Sequence, residues 1–369
     1  MTMQRLDGPH VTWSVADLLG LPPEAVELQP TAACHRTCVF CSHIVRNKRG
    51  GVLTQDLISQ LLSDAEALGV EQIAISGGGE PLYWEGDLAR VLERAHEFAF
   101  VTLTTSGDQF LDRERSALSP LALACLPHVD ALILNVPGVD DASLREQIVG
   151  GPTWSQLARV LRLLVEYSGE SGLRSFRVLC AVVVSRDNFS DIPRIDRVLH
   201  EIGVDEVYFK EYKLFGRDAS RRPRARIDLR EHGAHDWRGC GSPDLRRFIA
   251  SLESPRDAVG VACWTNRIGL GAIIDPNGNV FACTPTVGAL EHVIGNAWEQ
   301  RLPEIWAGPA RRETVDRLSR RSEAGGCPIE CRYHAHNRVF ASRREAGANA
   351  EPSAPLAWTS NAGVDNLRD

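Results

Sequence analysis

Three cysteines stand close together in the first part of the chain, in the spacing C-x3-C-x2-C: Cys34, Cys38 and Cys41. Three thiolates at this spacing suit one [4Fe–4S] cluster whose fourth iron has no protein ligand, because such clusters are normally held by four cysteines. The open position would then bind a small molecule. The alternative is a zinc site, in which His35 or His43 would supply the fourth ligand that zinc normally has.

A glycine-rich segment with the sequence SGGGEP occupies residues 76–81 and follows a predicted strand. Consecutive glycines let a ligand approach the backbone closely and leave N–H groups exposed to it. Glu80 adds a carboxylate that can accept hydrogen bonds from an ammonium group. Taken alone, the segment is also compatible with a plain turn between a strand and a helix.

A second set of four cysteines lies in the C-terminal half: Cys263, Cys283, Cys327 and Cys331. The sequence Asp-Pro-Asn-Gly at residues 275–278 predicts a tight turn, and hence a β-hairpin between residues 273–274 and 280–281. The hairpin would bring the first two cysteines together, and the later pair would complete four metal ligands. Four such thiols can also hold a structural zinc ion.

The composition limits the classes of protein and partner. A chain of 369 residues suggests one large domain with a smaller one, or two to three domains. A net charge of −7 argues against a nucleic-acid partner. The first ten residues lack the pattern of a secretory signal, and no apolar stretch approaches the ~20 residues that cross a bilayer. We therefore expect a cytoplasmic protein without a membrane partner, whose ten cysteines serve metal or redox chemistry.

Strand and helix patterns alternate along the first two thirds of the chain. Strands are predicted at residues 25–29, 71–76, 100–105, 130–135, 175–184 and 206–210. Helices are predicted at residues 54–68, 87–98, 118–126, 154–167 and 192–202. Six such βα units imply parallel strands covered by helices. Because a complete barrel of eight units typically needs ~250 residues, the pattern predicts an α/β fold with a partial, TIM-like (β/α)6 barrel. An open Rossmann-type sheet is disfavoured, since no G-x-G-x-x-G follows the first strand.

The predicted organisation has five parts. They are an N-terminal lead-in (1–24), the barrel (25–215), a linker (216–237), a small cysteine-rich α+β domain with the β-hairpin (238–340) and a tail (341–369). The tail has little apolar pattern, so we expect it to be poorly ordered.

The cysteine triplet and the segment Gly78-Gly79-Glu80, each placed after one of the first two strands, resemble the radical S-adenosylmethionine (SAM) superfamily. The resemblance covers roughly residues 25–211. It implies that the three cysteines hold a [4Fe–4S] cluster whose open iron binds SAM. It further implies SAM contacts at seven positions: Phe40, Gly78, Gly79, Glu80, Ser106, Asn135 and Val184. The implied chemistry is reductive cleavage of SAM to methionine and a 5′-deoxyadenosyl radical, which abstracts a hydrogen atom from a C–H bond.

The second cysteine set resembles the twitch domain, the short form of the SPASM domain in the same superfamily. This resemblance implies an auxiliary [4Fe–4S] cluster on the four C-terminal cysteines, whose last pair is spaced C-x3-C where C-x2-C is common. A superfamily enzyme of this kind implies a reducing partner such as flavodoxin or ferredoxin.

Three further residues are predicted to act on the substrate: Cys240, Glu211 and Lys213. Cys240 lies in a loop between the two regions and could donate a hydrogen atom to a substrate radical, as a cysteine does in radical epimerases of the superfamily. Alternatively, this thiol is a ligand of the auxiliary cluster or has no role. Glu211 and Lys213 lie on one face of an extended chain after the sixth strand, where they would suit a sugar or an aminocyclitol.

The leading hypothesis is a radical SAM epimerase of a sugar or aminocyclitol-type intermediate in antibiotic biosynthesis, with Cys240 as hydrogen donor. The alternatives are a dehydrogenase that passes an electron to the auxiliary cluster, a sugar-acid decarboxylase, a peptide-modifying maturase and a non-enzymatic zinc-binding protein. The maturase ranks lower because only about 24 residues precede the first strand, too few for the peptide-binding segment that such enzymes often carry.

Overall fold

The computed structural model describes residues 19–41, 50–172, 176–212, 241–253 and 271–324, and the single positions 237, 263, 269 and 337. Four of the predicted site residues lie outside this described part of the chain: Lys213, Cys240, Cys327 and Cys331.

Six parallel strands form the main part of the sheet. They are β1 (Ala25–Leu28), β2 (Gln72–Ile75), β3 (Phe100–Thr105), β4 (Ala131–Asn135), β5 (Arg177–Val184) and β6 (Glu206–Glu211). Each strand pairs in parallel with the next one along the chain. The predicted partial (β/α)6 arrangement is confirmed, and the carboxyl ends of the six strands meet at one edge.

Three more strands continue the same sheet beyond β1. They are β7 (Gly271–Ile274), β8 (Asn279–Phe281) and β9 (Gly295–Asn296). β7 runs parallel to β1, with Leu28 opposite Ile274, while β8 and β9 add antiparallel pairs. The predicted hairpin is therefore present, and it is hydrogen-bonded to the first strand of the barrel.

Helices connect the strands and cover one face of the sheet. Those of the barrel are α1 (Gln55–Ala67), α2 (Leu88–His96), α3 (Pro120–Cys125), α4 (Asp141–Gln147), α5 (Trp154–Glu170) and α6 (Ile192–Ile202). Among the described residues after α6, three more are present: α7 (Pro243–Glu253), α8 (Leu302–Ala307) and α9 (Pro309–Glu323). Among the described residues, no helix has the length and apolarity that crossing a bilayer requires.

Local sequence explains where the long helices begin. The Thr54 side chain accepts from the backbone N–H of Leu57 and so caps α1, which buries an apolar face that includes Leu57 and Leu61. Thr153 and Gln156 form a reciprocal capping box at the start of α5. Helix α4 and two short strand pairs, 37–38 with 148–149 and 111–112 with 117–118, were not predicted, because such short segments carry too little periodicity.

The two faces of the sheet differ in chemistry. Alternate strand residues such as Val26, Leu28 and Val182 join the helices in the main hydrophobic core. We call the opposite face, which lies away from this core, the inner face. It carries polar residues on β1 to β3 and a small apolar cluster on β4 and β5, so any ligand in the barrel meets both kinds of surface.

A buried carboxylate also ties the C-terminal half of the chain to the barrel. Asp64 on α1 is 3% exposed. Its two oxygens lie 3.0 Å from Nε of Arg301, and one of them accepts from the N–H of Leu302 at 3.0 Å. The two halves are therefore joined both within the sheet and between helices.

Candidate functional site

The cysteine triplet lies on the loop that follows β1, at the carboxyl edge of the sheet. Cys34 is exposed, while Cys38 and Cys41 are half-buried. The N–H of Cys41 donates to the carbonyl oxygen of Cys38 at 3.1 Å, which closes a turn between them. Burial, followed by the nearby Cys41 thiol, raises the pKa of Cys38 to about 12. Burial likewise raises the pKa of Cys34. Such thiols ionise readily only when a metal takes the charge.

One of the two histidines that the zinc alternative requires, His35, lies in the same loop as the triplet. In the part of the chain that the structure describes, no group of three His, Cys, Asp or Glu side chains is placed to hold a metal ion. His35, one of the two possible zinc ligands, contacts Asp108 through Nε2 and stacks on Tyr83 at 4.4 Å, so it serves to hold the loop.

A buried ion pair anchors the cysteine loop to the end of β3. Arg36 is 5% exposed, and its Nε donates to Asp108 Oδ2 at 2.8 Å. Its Nη2 contacts Asp108 Oδ1 and donates to the carbonyl oxygen of Ser106 at 3.3 Å. This pair could not be predicted, because the two residues are far apart in the chain and neither belongs to a motif.

A short antiparallel ladder holds the middle of the same loop. Thr37 and Cys38 pair with Val149 and Ile148, which follow α4. Beyond the ladder, a Cβ on Gly150, whose φ is +81°, would lie 2.7 Å from the carbonyl oxygen of His35. The backbone around Cys38 is therefore fixed from outside the loop.

The glycine-rich segment packs directly against the cysteine loop. The N–H of Glu80 donates to the carbonyl oxygen of Ala33 at 2.8 Å. A Cβ on Gly79 would overlap that same oxygen, and a Cβ on Gly78 would lie 2.5 Å from Cγ of Pro276 in the hairpin turn. Neither glycine can therefore carry a side chain without displacing these protein groups, and close approach of a ligand to the two glycines stays a prediction.

Glu80 is buried and hydrogen-bonded within the protein. Its Oε2 accepts from the N–H of Ser106 at 2.8 Å. Its Oε1 contacts the hydroxyl of Thr105 and accepts from the N–H of Leu82 at 3.3 Å. The carboxylate thus joins the ends of β2 and β3, and the contact to the SAM amino group implied for Gly78, Gly79 and Glu80 stays a prediction.

An apolar group lies where the adenine was expected. Phe40 packs against Val183 and Tyr212, at the carboxyl ends of β5 and β6. Val184, the predicted contact, is fully buried in the main core on the helix side. Successive residues of a strand point to opposite faces, so Val183 takes the position on the inner face and Val184 does not reach it.

Ser106 and Asn135 both lie at the carboxyl edge, as predicted. Ser106 is 6% exposed, and its hydroxyl has no hydrogen-bond partner. Asn135 ends β4, is half-buried, and shares the inner face with Ile133. A buried hydroxyl without a partner is the kind of group that a bound ligand completes, so this edge fits a polar cofactor.

Of the three predicted substrate-binding residues, the structure describes Glu211. It pairs with Val184 across β5 and β6 and therefore shares the helix-side face, whereas Lys210 pairs with Val183 on the inner face. A role of Glu211 in substrate binding stays a prediction. Lys213 and Cys240, outside the described residues, stay predictions.

Two of the four C-terminal cysteines belong to the described chain. Cys263 and Cys283 are both buried, and Cys283 follows the hairpin strand β8. The side-chain nitrogen of Asn337 lies 3.6 Å from the Cys263 sulfur. The four-cysteine ligand set stays a prediction, because Cys327 and Cys331 are not described.

Three polar residues of the inner face, Glu27, Gln29 and Ser76, were not predicted to have a role in the site. Ser76 and Gln29 both donate to Glu27, at 2.6 and 2.9 Å. A signal for them existed, because Glu27 and Gln29 alternate with the apolar residues of β1.

The Asp108→Asn variant is expected to loosen the cysteine loop. The change removes the charge that neutralises Arg36, and hydrogen bonds to charged groups contribute about 2 kcal/mol. We expect a lower melting temperature for the apoprotein and less iron bound per chain after anaerobic reconstitution.

Asp187→Asn is the matched control for Asp108→Asn, because Asp187 is exposed on a turn. Iron binding and a melting temperature equal in the two variants would show that the Arg36–Asp108 pair does not hold the loop.

Comparisons with known proteins agree with this geometry. The radical SAM superfamily model matches residues 28–199, and a model of an iron–sulfur cluster-binding domain, SPASM, matches residues 263–332. The chain is 38% identical over 117 residues to a PqqA peptide cyclase of Rhodopseudomonas palustris, covering 31% of this chain and 30% of that protein. It is 28% identical over 204 residues to a PqqA peptide cyclase of Bradyrhizobium diazoefficiens, covering 55% and 50%. The chain thus spans half the length or less of these curated relatives.

The fold has a counterpart among solved structures. Streptococcus suis SuiB bound to the precursor peptide SuiA superposes with a TM-score of 0.59 at 18% identity, covering 83% of this chain and 72% of that one. The two matched domains establish the cofactors as SAM, a [4Fe–4S] cluster and auxiliary iron–sulfur chemistry. The chain therefore belongs to the radical SAM superfamily and carries a C-terminal SPASM-type iron–sulfur domain.

Proposed function

We propose that the protein is a radical SAM enzyme that modifies a peptide by removing a hydrogen atom from one of its C–H bonds. The observation that carries the radical chemistry is the direct contact between the cysteine loop and the segment 78–80 at the carboxyl edge of six parallel strands. The peptide as substrate class is supported by the curated relatives, two of which are named PqqA peptide cyclases.

Each group of described residues has a role in this proposal. Cys34, Cys38 and Cys41 would hold the cluster, which would supply the electron for SAM cleavage and thereby the means of hydrogen-atom abstraction. Arg36 and Asp108 hold the loop that carries the cysteines, and Glu80 fixes the adjoining loops. Phe40 and Val183 form an apolar wall, which excludes water from the reacting centre.

The zinc-binding protein, one of the other hypotheses, is set aside by the family assignment. A sugar or aminocyclitol substrate, epimerisation with Cys240 as hydrogen donor, dehydrogenation and decarboxylation stay predictions, because no described residue favours any of them. Flavodoxin or ferredoxin as the reducing partner likewise stays a prediction.

The test measures 5′-deoxyadenosine formed by the anaerobically reconstituted full chain with SAM and reduced flavodoxin. Peptides encoded by short reading frames beside the gene are compared with amino sugars. We expect a peptide to stimulate the formation of 5′-deoxyadenosine. A cross-linked product has lost two hydrogen atoms, whereas an epimerised product keeps its mass in water and gains one deuterium in deuterated water.

Each negative outcome overturns a different part of the proposal. Stimulation by an amino sugar and by no peptide would contradict the substrate class. Failure to form 5′-deoxyadenosine with any addition, when the iron is fully loaded, would contradict the radical mechanism.

A further inference from the structure

The inner face of the barrel is divided into a polar and an apolar flank. The polar flank lies on or directly after β1, β2 and β3 and consists of Glu27, Gln29, Ser76, Thr102 and Thr104. The apolar flank lies on β4 and β5 and consists of Ala131, Ile133, Leu179 and Ala181. Strand register places Glu27 opposite Ala74, which in turn lies opposite Thr102. Glu27 and Thr102 therefore share the inner face, on either side of the small side chain of Ala74.

Glu27 presents a carboxylate that the protein holds in place without neutralising it. Its Oε1 accepts from Ser76 Oγ at 2.6 Å and from Gln29 Nε2 at 2.9 Å. Within the described ranges, no Arg, Lys or His forms an ion pair with this half-buried side chain. Oε2 has no hydrogen bond from the same part of the chain, so a negative charge faces the barrel interior.

Gln29 adds a second acceptor beside this charge. Its side chain is 1% exposed, and its Oε1 has no hydrogen-bond partner. The orientation of the amide is fixed, because the reverse orientation would place the carbonyl oxygen against the Glu27 carboxylate. The buried hydroxyl of Thr104 also has no partner. Buried acceptors without partners are costly, and a ligand with several donors would satisfy them.

We propose that this polar flank binds a primary ammonium group of the substrate, carried by a lysine side chain. An ammonium group has three donors and one positive charge, which matches the free oxygen of Glu27 and the unpartnered oxygen of Gln29. A neutral hydroxyl could satisfy these acceptors but would leave the carboxylate without a counter-charge. The inference rests on the proposed function, because the ammonium group belongs to a peptide.

The position of the flank agrees with a role in substrate binding. Gln29 follows the last residue of β1, and Ser76 follows the last residue of β2. Gln29 therefore lies shortly before the cysteine loop, and Ser76 is the first residue of the glycine-rich segment. A lysine held at Glu27 would bring neighbouring peptide atoms to the place where SAM is expected.

The test uses a random library of N-terminally acetylated peptides, selected on the reconstituted full chain with SAM. The best binder is then synthesised with lysine or with Nε-acetyllysine, and both dissociation constants are measured. We expect the wild type to prefer lysine by about tenfold or more, as charge-assisted hydrogen bonds provide. Glu27→Gln, which keeps the shape and removes the charge, should abolish this preference.

Two other variants serve as controls. Glu93→Gln makes the same change on the exposed surface of α2 and should keep the full preference. Ser76→Ala removes a hydrogen bond to Glu27 but leaves the charge, so it should weaken binding and keep the preference for lysine. Because Ser76 also belongs to the polar flank, this variant keeps the test decisive if Glu27→Gln fails to fold.

Four outcomes would overturn the inference. Three are the absence of a lysine preference in the wild type, an equal preference in Glu27→Gln, and a loss of SAM binding by Glu27→Gln in equilibrium dialysis. The last would assign the flank to the SAM ammonium group instead. A library free of acetyl caps shows whether a peptide N-terminus replaces lysine, which would also contradict it. Failure of the proposed function is seen separately, as no 5′-deoxyadenosine stimulated by any peptide.

Discussion

Cys38→Ala is expected to abolish the N-terminal cluster and all SAM cleavage while leaving the protein folded. A [4Fe–4S] cluster on two thiolates lacks the ligands that hold it. The fold is unaffected, because the ladder that fixes residues 37–38 against 148–149 uses backbone groups only. Iron and sulfide per chain should fall by one cluster, with the C-terminal cluster retained, and 5′-deoxyadenosine should be absent.

Cys125→Ala is the matched control for this loss. Cys125 is fully buried in the core between helices, where a thiol acts as a small apolar side chain. This variant should bind the full complement of iron and cleave SAM, with a modest decrease in stability. A Cys38→Ala protein that keeps its iron and its SAM cleavage would refute the assignment of the triplet as the cluster ligands.

Gly79→Ala is expected to displace the glycine-rich segment from the cysteine loop. The added Cβ would overlap the carbonyl oxygen of Ala33 and lie 2.6 Å from the carbonyl carbon of Ala32. Neither backbone can yield easily, since Ala33 also accepts the hydrogen bond from Glu80. We expect a cost at the upper end of the about 1–3 kcal/mol that overpacking causes, and loss of SAM binding in equilibrium dialysis.

Gly169→Ala tests whether this effect is specific to the site. Gly169 lies on α5 with nothing within 4 Å of an added Cβ. Because alanine is favoured over glycine in a helix by about 1 kcal/mol, this change should raise the melting temperature and leave SAM binding unaltered. Wild-type stability and SAM affinity in Gly79→Ala would contradict the close packing of the two loops.

The strands and long helices could be predicted because their apolar residues recur with a clear period. The pairing of β7 with β1 could not, since it joins segments from opposite halves of the chain and no local pattern specifies such a partner. The face of each residue on β5 was equally hidden. Its sequence is apolar on both faces, as in buried parallel strands, so nothing distinguished Val183 from Val184.

Some residues of the candidate site could likewise be predicted from the sequence, and others could not. The cysteines and glycines carry their chemistry in their own residue types and spacing, so they could be named from the sequence. Arg36 and Asp108 act only as a pair, and the pair exists only after the sheet has placed β1 and β3 on either side of β2. The alternation along β1 could have predicted that Glu27 lies on the face opposite the core. A charged residue in a strand is usually assigned to a solvent-facing surface, however.

The attachment of β7 to β1 has a consequence for any attempt to divide the protein. A chain that ended before residue 271 would leave β1 as an open edge, and open edges pair with other molecules and promote aggregation. It would also remove the hairpin turn, in which Pro276 covers Gly78. The hairpin strands therefore cover the edge of the barrel at β1. Any exchange of C-terminal domains between relatives should keep β7 and its turn as part of the barrel.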